Sequence, residues 1–226
     1  MKRVIPLLCL TLFLPAVAGE SREHHPAWSD VEHWSRVFDD PARDEWQRPL
    51  TLLTLLGIDQ GEVVADIGTG TGYFIRPLSI AVGPEGKVYA VDIEQAMLDH
   101  VMAREEIVRE RVIPVLAAPD DPRLPAGAID LAVIVNTWHH IDNRSKYLRR
   151  LQRVLSPEGR VAIVDFREGE LPVGPPPGEK LSRETVLAEF AKARWQFVSE
   201  SVALPYQYFL VFYPPATKDA RRFVSR

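Results

Sequence analysis

The chain has 226 residues, 46% hydrophobic and 26% charged, with 31 acidic side chains against 27 basic ones and a formal charge of −4 at neutral pH. That length buries a full core in one domain, and an acidic balance without a basic stripe argues against a nucleic-acid backbone as partner. Cys9 is the single cysteine, which excludes an internal disulfide and, if the N-terminal segment is removed, any thiolate metal site or thiol nucleophile.

Residues 1–18 read as a secretory leader. Lys2 and Arg3 supply the positive start, Val4 to Leu14 the apolar run, and Ala16-Val17-Ala18 a small-x-small cleavage site before Gly19. The run is shorter than the roughly 20 residues that span a bilayer, so no stable membrane anchor is expected. On this reading the mature protein is exported to the periplasm; the alternative is an apolar stretch retained on a cytoplasmic protein. Residues 19–28 form a polar, flexible segment in which His24 and His25 lack a third ligand, and no metal site is expected.

From residue 29 the pattern turns helical. Ser29-Asp30-Val31-Glu32 reads as a capping box, and Val31, Trp34 and Val37/Phe38 recur at helical spacing until Pro41. A short helix through Trp46 and another from Leu50 to Leu56 follow, with Gly57 as the stop. The region is rich in Trp34, Phe38, Arg43 and Trp46, more aromatic and basic than a support helix needs.

Residues 62–67 read as the first buried strand, followed by Gly68-Thr69-Gly70-Thr71-Gly72. Glycine lets the backbone turn sharply and approach a ligand where a Cβ would collide, and Asp66 places a carboxylate beside that loop. A dinucleotide fingerprint would need a third glycine where Tyr73 stands, so the spacing favours a nucleoside without a pyrophosphate. The next helix turns Phe74, Leu78 and Val82 inward, and Pro77 demands a kink or a late start. Residues 87–92 form a second strand that ends in Asp92, placed either to take both ribose hydroxyls of a nucleoside or to cap the following helix, read as residues 94 to about 108.

A third strand spans residues 111–116, and an acidic, proline-rich loop carries Asp120 and Asp121. The apolar run 129–135 is a strand covered on both faces. Asn136-Thr137-Trp138-His139-His140 follows at its carboxyl end, where α/β proteins place their chemistry. His139 and His140 are candidates for proton removal, since imidazole is poised near neutral pH; the other reading is that one orders the loop or caps the next helix. That helix, 143–155, closes in a Ser156-Pro157-Glu158-Gly159 turn, and Val161 to Phe166 form the fifth strand. Residues 171–178 make a stiff connector, across the mouth of the site or as a plain linker. Ser182 starts the last helix, Trp195–Leu204 and Tyr206–Tyr213 alternate as an antiparallel pair joined at Pro205, and 214–226 is a polar tail.

Asp66-x-Gly68-x-Gly70-x-Gly72, followed by Val88-Tyr89-Ala90-Val91-Asp92, resembles the first two motifs of the class I S-adenosylmethionine (SAM) dependent methyltransferases. With Pro119-Asp120-Asp121, His139-His140-Ile141, Val164-Asp165-Phe166 and Gln207-Tyr208-Phe209-Leu210-Val211-Phe212, the chain is similar to small-molecule methyltransferases of the ubiquinone/menaquinone-biosynthesis type from about Asp30 to Tyr213. The resemblance implies an α/β, doubly wound Rossmann-like sheet of about seven strands with a C-terminal antiparallel hairpin over residues 58–213. It implies a helical lid over 29–57, SAM as cofactor, and methyl transfer to a small-molecule acceptor. Asp66, Gly68, Thr69, Gly70 and Gly72 would hold the methionine portion, Asp92 with Ile93 the ribose, and Asp120 the adenine amino group. Arg43, as part of the lid, would capture the cofactor's carboxylate or an acidic substrate group with its planar fork. Tyr73, Asn136, His139 and His140 would face the acceptor, with Asn136 also bordering the cofactor. Near relatives carry an acid at position 136, so the neutral amide argues against a base there. Two other functions share these features: a non-catalytic nucleoside-binding protein, and a nicotinamide oxidoreductase, against which Tyr73 stands. The residues leave the acceptor and the oligomeric state open.

Overall fold

In the computed structural model, which describes residues 27–215, the apolar runs become one seven-stranded sheet. Its strands are β1 (Val63–Ile67), β2 (Lys87–Asp92), β3 (Val112–Leu116), β4 (Ile129–Val135), β5 (Leu155–Phe166), β6 (Gln196–Ser201) and β7 (Gln207–Tyr213), in the spatial order β3-β2-β1-β4-β5-β7-β6. The first five pair in parallel, and β7 enters antiparallel between β5 and β6. The expected doubly wound sheet with its C-terminal hairpin is the fold observed. The expected secretory leader (residues 1–18), the His24–His25 pair and the tail beyond residue 215 lie outside the described residues.

Among the described residues, seven α-helices accompany the sheet: α1 (Val31–Phe38), α2 (Arg43–Gln47), α3 (Pro49–Leu56), α4 (Ile75–Ala81), α5 (Gln95–Ala103), α6 (Arg144–Val154) and α7 (Arg183–Lys192). One face is covered by α3, α4 and α5, whose Leu52, Leu56, Ile75, Leu78 and Val101 pack on Val64, Val88 and Val133. The other is covered by α6 and α7, whose Leu148, Leu151, Val186 and Phe190 pack on Ala132, Ile134 and Ile163. Alternate residues of β4 thus enter opposite cores, which is why that strand reads as an unbroken apolar run. Each such side chain contributes roughly 1.5–3 kcal/mol on full burial.

Four local expectations are corrected, and the choice left open at Pro77 is decided. The N-cap of α1 is Asp30, whose carboxylate accepts from the His33 amide at 3.0 Å, rather than Ser29. Helix α4 takes the late start, so Pro77 falls in its first turn, where no amide donor is missed. Helix α5 ends at Ala103, five residues early, because Arg104 turns extended and spends its guanidinium on Asp39 and the Thr71 carbonyl. Residues 156–159 do not form a separate turn: Ile129 pairs with Leu155 and Leu131 with Arg160, so they bulge out of one long strand. Finally, β6 and β7 do not alternate. Strand β7 is buried on both sides by its interior position, while β6 is the exposed edge.

Candidate active site

The order of strands reverses at β1, which has β2 on one side and β4 on the other, and ligands of open α/β sheets bind in the crevice at such a point. Two loops meet there. Gly68 has φ +76°, and a Cβ on it would lie 2.2 Å from Thr137 Oγ1 of the loop after β4. Only glycine allows that approach. The Gly70 amide donates to Asp92 Oδ2 at 2.8 Å, while Asp92 Oδ1 accepts from the Glu94 amide at 3.0 Å. Asp92 therefore holds the glycine loop and the start of α5 together, and burial pushes its carboxyl above the usual range. Ile93 beside it stays half-exposed at the crevice edge.

Asp66 is buried and accepts from Thr69 Oγ1 at 2.8 Å. Burial raises its carboxyl to about 6. A carboxyl raised on folding favours the native state while protonated, and this contribution is lost as pH climbs from about 4 through 6; its size is roughly 3 kcal/mol. Urea unfolding should therefore show wild type losing stability relative to Asp66→Asn between pH 4 and 7. A difference that stays flat with pH would refute the assignment.

The N-terminal helices lie on the glycine loop. Helix α1 buries none of its residues in the core; its last residue, Phe38, sits 3.5 Å from where a Gly70 Cβ would be. Trp28, Trp34 and Phe38 stack in a ladder with centroid spacings of 4.4 and 5.0 Å. Asp39 accepts from Thr71 Oγ1 at 2.9 Å and from Arg104 at 3.2 Å, and the Tyr73 hydroxyl donates to Asp44. Burial, and then that bond, hold the Tyr73 hydroxyl above its ordinary range. Arg43 stacks its guanidinium 3.9 Å over the Tyr73 ring and donates to the Phe38 carbonyl at 2.9 Å and to Gln47 Oε1 at 3.3 Å. Burial lowers it to about 10, and its Nε is a buried donor with no acceptor.

Asn136 is held with φ +53° directly after β4, a left-handed position that Asn tolerates. Its carboxamide closes a ring of three. Gln47 Nε2 donates to Gln207 Oε1 at 2.8 Å, Gln207 Nε2 to Asn136 Oδ1 at 2.5 Å, and Asn136 Nδ2 to Gln47 Oε1 at 3.4 Å. Gln47 and Gln207 are fully buried, so the ring pins α2 to the ends of β4 and β7.

The next turn, Trp138–His140, sends the two imidazoles to different places. His139 Nδ1 lies 2.8 and 2.9 Å from the two oxygens of Asp165 at the end of β5. His140 is exposed, packs edge-on against Trp28 at 5.2 Å, and is pushed down to about 4 by desolvation and by His139. Asp120 stands apart on the surface, paired with Lys146 of α6. The proline-rich connector crosses the end of β5: a Cβ at Gly174 would lie 2.6 Å from the Phe166 ring, which also faces Trp46 at 5.7 Å. The glycine loop, Asp92, Asn136 and Arg43 thus gather at one crevice, with His139 on the turn beyond Thr137.

Sequence reasoning gave no role to Asp165, Gln47, Gln207, Asp39 or Asp44. Asp165 and Gln207 carried one signal, a polar residue bounding an apolar strand. The others carried none, because their partners are distant in the chain. Among the described residues, no cluster of His, Cys, Asp and Glu could hold a metal, and no helix is long and apolar enough to cross a membrane.

The residues present fit SAM: a backbone cradle at Gly70 with no room-filling Cβ, a strand-end carboxylate at Asp92, and an orphaned cationic donor at Arg43 for an anionic group. A seven-stranded sheet with this loop and acid at its reversal is the arrangement of the class I SAM-dependent methyltransferases, and the chain is similar to them in sequence and fold. Residues 65–163 match the family model described as a methyltransferase domain. The chain is 30% identical over 121 residues to a ubiquinone/menaquinone biosynthesis C-methyltransferase of Hahella chejuensis, covering 52% of this chain and 48% of that one; it spans about half the length of the curated relatives it matches. A SAM-dependent methyltransferase from Aquifex aeolicus superposes with a TM-score of 0.75 at 28% identity, over 83% of this chain and 98% of the other. A Haemonchus contortus phosphoethanolamine N-methyltransferase in complex with SAM shares the fold, with a TM-score of 0.59 at 16% identity over 75% of this chain and 53% of that one.

Proposed function

We propose that the chain transfers a methyl group from SAM to a small, largely planar molecule. SAM supplies a methyl group already activated by the positive charge on its sulfur, so the protein's task is alignment and exclusion of water. On this reading the backbone of Gly68 to Gly72 cradles the methionine end and Asp92 turns from the Gly70 amide to the ribose hydroxyls. Ile93 packs under the base, with Asp120 released from Lys146 to accept from its amino group. Arg43 offers its free Nε to a carboxylate, and α1 with α2 forms a lid whose Trp28–Trp34–Phe38 ladder keeps water out. The proposal includes export, supported by the leader-like residues 1–18.

The observation that carries the reading is the Gly70 amide held on Asp92 at the strand reversal. Calorimetry with SAM tests it. Wild type should bind, and Asp92→Ala, with an unchanged circular dichroism spectrum, should lose about 30- to 100-fold in affinity, the value of two hydrogen bonds to a charged acceptor less the gain from freeing the loop amide. Equal affinities, or no heat with wild type, would overturn it.

A further inference from the structure

His139 and Asp165 are both nearly dry, with side chains 3% and 2% exposed. Asp165 sits in a fixed frame: besides Nδ1 of His139 it accepts from the amide of His139 at 3.2 Å and from that of Phe166 at 2.8 Å. The turn carrying His139 is fixed as well, since Trp138 is wholly buried and its indole donates to Glu189 at 3.2 Å. A carboxylate on Nδ1 selects the tautomer with the proton there and leaves the lone pair on Nε2. Nε2 makes no hydrogen bond among the described residues. Two residues upstream, Thr137 is the side chain against Gly68, so this imidazole is anchored beside the loop expected to carry the methyl donor. The charged and titratable groups around the pair are Asp165 of β5, His140 of the same turn, Glu179 of the connector and Tyr208 of β7. His140 is held neutral, so it adds no second cation.

We infer that His139, oriented by Asp165, is the base that takes the proton from the acceptor, and that the acceptor is an aromatic or enolic hydroxyl. The inference rests on the methyl-transfer reading. A carboxylate is already ionised near neutral pH and needs no base; a phenol, with a pKa near that of tyrosine at about 10, is almost wholly protonated and does. In the step, the acceptor O–H proton passes to Nε2 and the oxygen's electron pair forms the new bond to the methyl carbon. The pair of the broken S–C bond stays on sulfur, which leaves as a neutral thioether. The imidazolium is balanced by the Asp165 carboxylate and then returns its proton to water.

Two measurements on the full chain test this. In nitrogen-15 imidazole spectra, with His139 assigned by its loss in His139→Gln, the neutral ring should carry its proton on Nδ1 and leave Nε2 unprotonated. A proton on Nε2 throughout would overturn the base role. With labelled SAM and two acceptors, catechol and the more acidic 4-nitrocatechol, His139→Gln should lower kcat on catechol by about 10²–10⁴-fold with KM little changed. On the nitro compound, already largely ionised, it should cost less than about tenfold. Asp165→Asn should follow the same pattern and shift the alkaline rise of the pH–rate profile. Equal losses on both acceptors would mark the pair as purely structural. SAM binding with no methylation of either phenol would remove the hydroxyl class, whereas failure of wild type to bind SAM would remove the methyl-transfer reading itself.

Discussion

Replacing Gly68 by Ala should abolish measurable SAM binding and destabilise the fold by roughly 2–5 kcal/mol. Two costs add. A residue with a Cβ pays about 1–2 kcal/mol in the left-handed region, where Gly68 has φ +76°. The new methyl would also fall 2.2 Å from Oγ1 and 2.4 Å from Cγ2 of Thr137, far inside van der Waals contact, and overpacking of this kind costs a further 1–3 kcal/mol or so. The second cost has a partner, so it should be partly reversible. Thr137→Ala alone loses its bond to the Val135 carbonyl at 3.0 Å, about 1 kcal/mol. In the double variant Gly68→Ala/Thr137→Ala, stability should exceed the sum of the single effects by about 1–2 kcal/mol, the sign of a direct clash relieved. Denaturant titration of the four proteins gives the coupling; strict additivity would mean that Thr137 is not what excludes a side chain at Gly68.

Gln47→Leu should cost roughly 2–5 kcal/mol and loosen the N-terminal helices. The ring of three carboxamides satisfies every member once, so removing one strands two others: the Gln207 carbonyl oxygen loses its donor and the Asn136 amide loses its acceptor. Each buried group left unpaired costs about 1–3 kcal/mol, and Arg43 loses its contact to Gln47 as well. Limited proteolysis should cut the variant between α1 and α3 well before wild type does, and should still do so when the two are compared at equal distance from their melting midpoints. If cleavage tracks global stability alone, the ring contributes packing but does not latch the helices.

Much of the architecture was legible because it rests on local patterns. Strands β1, β2 and β4 announce themselves as apolar runs, Ser182 and Asn143 cap α7 and α6 as their positions suggest, and Gly57 ends α3 in a left-handed conformation. The errors fell where a distant partner decided the outcome. Helical propensity continues past Ala103, yet Arg104 is drawn off by Asp39, 65 positions earlier. The β6–β7 pair was expected to alternate, and insertion of β7 inside the sheet changed both strands' exposure at once.

The site divides along the same line. The glycine loop and Asp92 belong to short contiguous motifs whose chemistry, a bare backbone next to an acid, is written in the residue types. Asn136 and the two histidines were legible as polar residues at a strand end, but not what they do, since these residue types alone fit a base, a cap or a hydrogen-bond ring equally well.

By itself the chain's order of residues determined the parallel sheet, the glycine loop and the strand-end acid, because burial pattern and glycine placement act over a few neighbours. Only the tertiary structure separated His139 from its neighbour His140, placed Asn136 in a closed ring with Gln47 and Gln207, and brought Phe38 onto Gly70. Those outcomes depend on distances between groups up to 160 positions apart, and a hydrogen bond of 2.8 Å exists only once folding has brought its two ends together.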